Sequence, residues 1–320
     1  MSASGGGKAI IAAMAANLGI ALTKLVAALL SGSAAMLAEA VHSFADTINQ
    51  VLLLVGRRRA RKAADQEHPF GYGRERYLFA FIVSIVLFSL GGAYSVYESI
   101  QKFLEPHHEI VNWWLPIAVI VISIALEGFS FRTARKESLP FKGSGSWVSF
   151  IRRAKAPELP VVLFEDTAAL IGLSFALLGV GLTVITGNPV FDAIGTLLIG
   201  LLLVTVAIIL GSVTKSLLIG EGAEPDVVER IRDAVNRHPR VEALIHLRTL
   251  YLGPDEMLVA AKVAFPHATR LAQVAEAIDQ LEVDIRAAVP VARVIYIEPD
   301  ILRPRGETMA TDAIVIKSSD

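Results

Sequence analysis

Residues 190–213, VFDAIGTLLIGLLLVTVAIILGSV, run for 24 positions with one ionisable side chain, Asp192, near the start. About 20 helical residues cross the roughly 30 Å of hydrocarbon in a bilayer. A run this long and this apolar therefore reads as a membrane span, not as the core helix of a soluble domain. Comparable runs occupy 9–30, 34–57, 77–103, 113–134 and 158–186, so the sequence predicts six spans. Composition agrees: 53% of the residues are hydrophobic and the mean hydropathy is +0.54, above what a soluble core requires. The first run is too long for the apolar region of a cleaved signal and is followed at once by another, so it is expected to stay as a span.

The net charge of −1 conceals a strong pattern. The connector from Arg57 to Arg76 carries seven Lys or Arg against three acids, and that from Arg135 to Pro157 carries six against one. The connectors at 104–112 and 186–190 carry neither Lys nor Arg. By the positive-inside rule both termini are expected in the cytoplasm. Beyond Gly220 the character changes. Residues 226–237 and 271–288 have helical periodicity, whereas 241–252, 256–265 and 291–297 read as strands, the first two joined through Gly253-Pro254-Asp255. The expected fold is an α-helical membrane protein, a six-helix transmembrane bundle followed by a small αββαβ, ferredoxin-like domain. Its domains are 1–215, 220–300 and a tail at 301–320.

The chain has no cysteine, so disulfides and thiolate metal sites are excluded, and any metal falls to His, Asp, Glu or Asn. The second span reads AEAVHSFADTINQ over 38–50, placing ionisable groups inside a membrane helix, where they are costly and usually functional. At 100° per residue Glu39, His42, Asp46 and Asn49 share an arc of about 80°. His42 and Asp46 lie one turn apart, so an imidazole nitrogen and a carboxylate oxygen can approach one ion at the about 2.0–2.2 Å that zinc requires. The plainer reading is a polar seam that joins helices by hydrogen bonds. The fifth span adds the adjacent acids Glu165 and Asp166. Asp46 lies about 16 Å from the basic end of its helix and Asp166 about 12 Å from the corresponding end of its own, a similar depth. Adjacent residues point about 100° apart, so Glu165 and Asp166 do not face one centre equally. Asn17, Glu98, Glu127 and Asp192 are further polar groups that would line a pathway, with Asp192 alternatively serving its helix N-terminus. Glu127 stands out because it is mid-span with no basic residue near it in sequence.

These features together resemble the cation diffusion facilitators, the zinc transporter family. The resemblance is carried by His42 and Asp46 in the second span, Asp166 in the fifth, the connector DQEHPFGYGR at 65–74 and the terminal αββαβ order. The phrases AEAVHS at 38–43 and EDTAA at 165–169 are most similar to the branch that includes the animal mitochondrial zinc exporter. What the resemblance implies is a homodimeric metal/proton antiporter, with the ion held between the second and fifth spans and the soluble domains paired in the cytoplasm, here in a bacterial inner membrane. Zinc is then the expected ion, with manganese, iron(II) or cobalt as alternatives, and a non-transporting metal sensor or scaffold as the rival reading. No nucleophile and base pair accompanies the cluster, so an enzyme is not expected, nor is a nucleic-acid partner or a bound cofactor.

The sequence departs from the family pattern in three places. Val162 stands where most members carry a coordinating residue four positions before Asp166, which leaves the fourth ligand open among Glu165, Glu39, Asn49 and water, with Glu165 ranked first. In the connector, Asp65 and His68 match a second site, but Tyr72 replaces its second His. In the soluble domain, Ile245, Lys262 and Ile297 stand at positions where other members coordinate, and His238, His246, His267 and Glu298 are expected to serve the surface or core.

Overall fold

The computed structural model describes residues 7–31, 34–104, 114–143 and 145–302. It divides into two compact units, Met1–Gly220 with Gly253–Asp255, and Glu221–Leu252 with Glu256–Asp320. The first is a helical membrane domain. Its helices are α1 (Gly7–Ser31), α2 (Ala34–Arg59), α3 (Glu75–Val86), α4 (Tyr94–Leu104), α5 (Trp114–Lys142), the short α6 (Trp147–Arg153), α7 (Glu158–Thr186) and α8 (Val190–Ile219). A π-helical stretch, Leu87–Ala93, joins α3 to α4, so that Glu75–Leu104 forms one continuous span.

Among the described residues four segments are long and apolar enough to cross a membrane: Glu75–Leu104, Trp114–Lys142, Glu158–Thr186 and Val190–Ile219, with Ile10–Val26 a shorter apolar helix. The polar residues Asp46, Asn49 and Gln50 and the arginines Arg57, Arg58 and Arg59 interrupt the apolar run of α2. Large apolar side chains such as Leu18, Val121, Phe129, Leu178 and Leu201 are exposed on the helices, as lipid contact requires.

Neighbour packing closes the helices into a ring. Helix α1 lies against α2 and α5, α2 against α3, the α3–α4 span against α8, α8 against α7, and α7 against α5. In that order α2 and α7 stand opposite each other across the interior. Local chemistry fixes the corner between α7 and α8. Gly187 ends α7 in the left-handed conformation with φ 70°, its N–H donating to the Thr183 carbonyl at 2.8 Å; a side chain would be strained there. Asn188 Oδ1 then accepts from the Val190 N–H at 3.0 Å and starts α8. The α4 and α8 backbones meet where a Cβ on Gly200 would lie 2.8 Å from the Val96 nitrogen, the close approach that small residues permit in membranes.

Arg76, near the start of α3, forms a two-point ion pair with Glu158, the first residue of α7, and both side chains are buried. That fork ties the third and fifth spans together at one end of the bundle. Helix α5 extends beyond the expected stop near 134 to Lys142, with Pro140 in its last turn, and α6 follows inside the stretch expected to be connector. Ser146 caps α6 by accepting from the Ser149 N–H at 3.1 Å.

The second unit contains α9 (Pro225–Asn236), β1 (Ala243–Gly253), β2 (Glu256–Ala264), α10 (Leu271–Ala288) and β3 (Ala292–Asp300). The sheet order is β1-β2-β3, with β2 and β3 parallel and Ala260 opposite Tyr296. The crossover through α10 supplies the length a parallel pair needs. Val227, Ile231, Met257, Val259, Leu281 and Ile285 are among the residues of its own apolar core.

Candidate metal centre

Of the polar side chains expected on α2 and α7, those of Asp46, Asn49, Glu165 and Asp166 are described. Asn49 and Asp166 are almost fully buried, as are Glu165 and Glu127, whereas Asp46 is half-buried. Asp166 Oδ2 accepts from the Ser130 hydroxyl of α5 at 2.7 Å. Both oxygens of Glu165 are engaged by α2: Oε1 accepts from Asn49 Nδ2 at 3.2 Å and Oε2 from Gln50 Nε2 at 2.5 Å. Val162 is buried in the apolar core and offers no donor. Glu39 and His42 belong to the backbone of α2, but their side chains lie outside the described residues. Among the described residues no three His, Asp or Glu side chains converge as a metal-holding group.

Carboxylates nevertheless accumulate here. Glu165 is in electrostatic reach of Asp46, Asp166 and Glu127, and Glu127 in turn of Asp46, Asp166 and Lys24. Among the described residues, helices α2, α5 and α7 contribute four acids to one interior, with Lys24 of α1 in reach. Carboxylates in such surroundings need protons or cations to be tolerated. Glu127 and Ser130 lie three residues apart on α5 and so share a face. At the other end of the bundle, Lys102 pairs with Asp192 at 2.9 Å and with Glu98 at 3.6 Å and donates to Thr196 Oγ1 at 3.1 Å. Those two acids are therefore drawn into a local ion cluster. Asn17 is buried in α1.

The connector holds a second arrangement. Lys62 Nζ lies 2.9 Å from Asp65 Oδ2 and 2.7 Å from the Tyr72 hydroxyl, which itself donates to Asp65 Oδ2 at 2.7 Å. Asp65 Oδ1 accepts from the His68 N–H at 2.8 Å, and the His68 ring stacks on Tyr72 with centroids 4.3 Å apart. The Lys62 ammonium therefore sits between the very groups, Asp65 and Tyr72, where a second cation would be held. Its hydrogen bond, then those of Tyr72 and the His68 N–H, hold the Asp65 carboxyl well below the usual carboxylate range. The hydrogen bonds from Lys62 to Tyr72 and then Asp65 push the lysine upward in turn.

In the soluble unit the histidines are taken up differently. Arg248 Nε donates to His246 Nε2 at 2.7 Å, and the Arg240 N–H donates to His238 Nδ1 at 3.3 Å. His267 is exposed. Lys262 bridges Glu298 at 3.1 Å and Asp300 at 3.2 Å, so a lysine again stands among carboxylates. Ile245 is exposed and Ile297 half-buried against the core.

Sequence reasoning passed over Gln50, Ser130 and Lys62. Gln50 falls outside the 80° stripe, yet its longer side chain reaches Glu165 beside Asn49. Ser130 has a weak signal, its spacing of three from Glu127. Lys62 is one basic residue in a run of them, and only the folded connector distinguishes it.

Residues 10–219 match the family model described as the cation efflux transmembrane domain, and residues 223–300 match the cation efflux protein, cytoplasmic domain. The chain is 34% identical over 269 residues to the proton-coupled zinc antiporter SLC30A9, mitochondrial, of Xenopus laevis, covering 83% of this chain and 48% of that protein. It is 31% identical over 239 residues to metal tolerance protein C4 of Arabidopsis thaliana, covering 73% and 52%. The magnetosome protein MamB of a Magnetospira species is 27% identical over 245 residues, covering 75% and 76%. A solved MamM C-terminal domain is 22% identical, covering 25% of this chain and 94% of its own, with a TM-score of 0.23. The chain spans about half the length of the antiporter and of the Arabidopsis protein.

Proposed function

Because this chain belongs to the cation efflux family, we propose that it carries a divalent metal ion across a membrane by alternating access, with zinc as the ion and protons moving the opposite way. The observation that carries this reading is the group of four carboxylates brought by α2, α5 and α7 to one apolar interior with little opposing charge. Asp46 and Asp166 are the anionic donors, from helices on opposite sides of the ring, and His42 adds an imidazole one turn from Asp46. The fourth position is open to Glu165, Glu39, Asn49 or water. The names borne by the SLC30A9 relatives, proton-coupled zinc antiporters, support both the ion and the coupling.

Chemistry gives the coupling its direction. Donors must be free of protons to bind a metal, so loading releases protons and unloading takes them up. An inward pH gradient then drives metal out. Transport needs two states that expose the site to one side at a time, and a site spread across facing helices is remade whenever those helices move apart. Imidazole with carboxylates suits zinc and also accepts manganese, iron(II) or cobalt, so relative flux and not donor chemistry sets the order. The basic connectors support cytoplasmic termini, and the cytoplasmic-domain match supports a homodimer joined through the soluble unit.

The test is flux into proteoliposomes under an imposed pH gradient, across zinc, manganese, iron(II), cobalt, cadmium and magnesium. Zinc uptake that is fastest and is matched by proton counterflow supports the reading. Binding without flux for every ion refutes transport.

A further inference from the structure

Glu165 occupies an unusual place in the ring. Its side chain is 8% exposed, and the two amides that meet it, Asn49 and Gln50, are 1% and 0% exposed. Adjacent residues of one helix converge on a single carboxylate of another, one amide per oxygen, at 3.2 and 2.5 Å. Among the described residues α2 packs mainly along α1 and α3, and α7 mainly along α5 and α8, with α7 also touching α1 and α3. The amides of α2 that reach Glu165 across the interior add a direct tie between α2 and α7.

The opposite ends of the same amides sharpen the point. Asn49 Oδ1 and Gln50 Oε1 are buried and have no hydrogen-bond partner among the described residues. Leaving a buried carbonyl unpaired is costly, and it persists where another requirement fixes the group. Here both N–H ends are committed to Glu165. Each Glu165 oxygen keeps a lone pair beside its amide bond, but an ion that drew the carboxylate away from α2 would break these bonds and leave an amide unpaired at both ends.

We propose that Glu165 is a positioning residue, clamping α7 to α2 through Asn49 and Gln50, and that the clamp, not coordination, is its contribution to the ion site. Asp46 lies about one turn before Asn49 and Asp166 is the residue after Glu165, so the clamp fixes the separation of the two donors. This rests on the reading that Asp46 and Asp166 hold the ion.

Zinc flux in proteoliposomes tests it, with Glu165→Gln, Glu165→Ala, Gln50→Glu and the swap Glu165→Gln with Gln50→Glu measured beside Asp46→Ala and Asp166→Ala. A glutamine at 165 accepts from one amide and donates to the unpaired carbonyl of the other, so Glu165→Gln keeps its KM for zinc within about threefold. Glu165→Ala frees the helices and raises KM by about 10- to 100-fold, the scale on which outer groups tune metal sites. Gln50→Glu sets carboxylate against carboxylate and loses flux, and the swap restores it. Glu165→Gln losing flux as fully as Asp46→Ala would overturn the clamp in favour of direct coordination. Glu165→Ala matching wild type, or a swap that restores nothing, overturns it as well. Should Glu165→Ala not elute as a folded species, Glu165→Gln and the swap decide the matter alone. Retained flux in both aspartate variants refutes the ion site itself, while the swap still reports on the clamp.

Discussion

The Arg76–Glu158 pair offers a measurement whose size follows from burial. The two side chains are 7% and 3% exposed and meet as a fork, Nη2 to Oε2 at 2.8 Å with Nε on Oε1. Removing one partner of a buried ion pair leaves the other charge stranded and costs about 3–5 kcal/mol, whereas replacing both by apolar groups is often neutral or favourable. Arg76→Met is therefore expected to lower the folded-to-unfolded ratio by about a hundredfold to a few thousandfold, at about 1.4 kcal/mol per factor of ten. Glu158→Leu leaves Arg76 only its single hydrogen bond to Asp255 at 3.0 Å and is therefore expected at the lower end of that range. The double variant is expected within about 1 kcal/mol of wild type, giving a coupling energy of about 3 kcal/mol or more. Equilibrium unfolding in mixed detergent and SDS micelles, followed by tryptophan fluorescence, reads all four corners of the cycle. Single variants within about 0.5 kcal/mol of wild type, or a double variant equal to the sum of the singles, would refute the burial argument and leave the α3–α7 corner held by apolar packing.

Other expectations follow from the Lys62–Asp65 connector and the imidazole. Tyr72→His alone is expected to bind no additional zinc, because Lys62 still occupies Asp65, whereas Tyr72→His with Lys62→Ala is expected to gain one zinc by calorimetry. The connector also has a defined acid response. Asp65 is depressed in the folded chain, so its contribution is present above its unfolded pKa, 3.8, and is lost only as pH falls through the lower folded value. Side-chain NMR of Asp65 should accordingly show it still ionised at pH 3.8, and half-protonation at that pH would contradict the Lys62 contact. His42→Asp is expected to give an all-oxygen site that shifts flux preference from zinc toward manganese. An imidazole has an ordinary pKa near 6.5, so the pH profile of flux is expected to move as well, and an unchanged ranking and profile would make His42 a packing residue.

Much of this architecture is written in periodicity. The span at 190–213 and the helix–strand alternation after Gly220 each depend on local pattern, and the order of elements in the soluble unit needed only a Gly-Pro-Asp turn and one helical crossover. Extents were harder to read. The continuation of α5 to Lys142 runs past the charged residues after 134 and through Pro140, and the π-helical stretch at Leu87–Ala93 lies where Gly92 meets Val204 of α8, neither of which local pattern announces. At the centre, the residue types announced themselves because Asp46, Glu165 and Asp166 are costly in an apolar helix. Their pairings did not. Whether Glu165 faces an ion or an amide depends on Gln50, more than a hundred positions away in sequence, and Ser130 reaches Asp166 only because α5 and α7 are neighbours in the ring.

Zinc uptake with simultaneous internal pH recording, in proteoliposomes holding wild type, Asp46→Ala or Asp166→Ala, is the direct test of an ion carried between α2 and α7. Each alanine removes a carboxylate that nothing described nearby replaces, so both variants are expected to lose zinc flux and its proton counterflow together while still eluting as folded protein. Wild-type rates of zinc and proton movement in either variant would contradict that placement and move the ion path away from the α2–α7 interior.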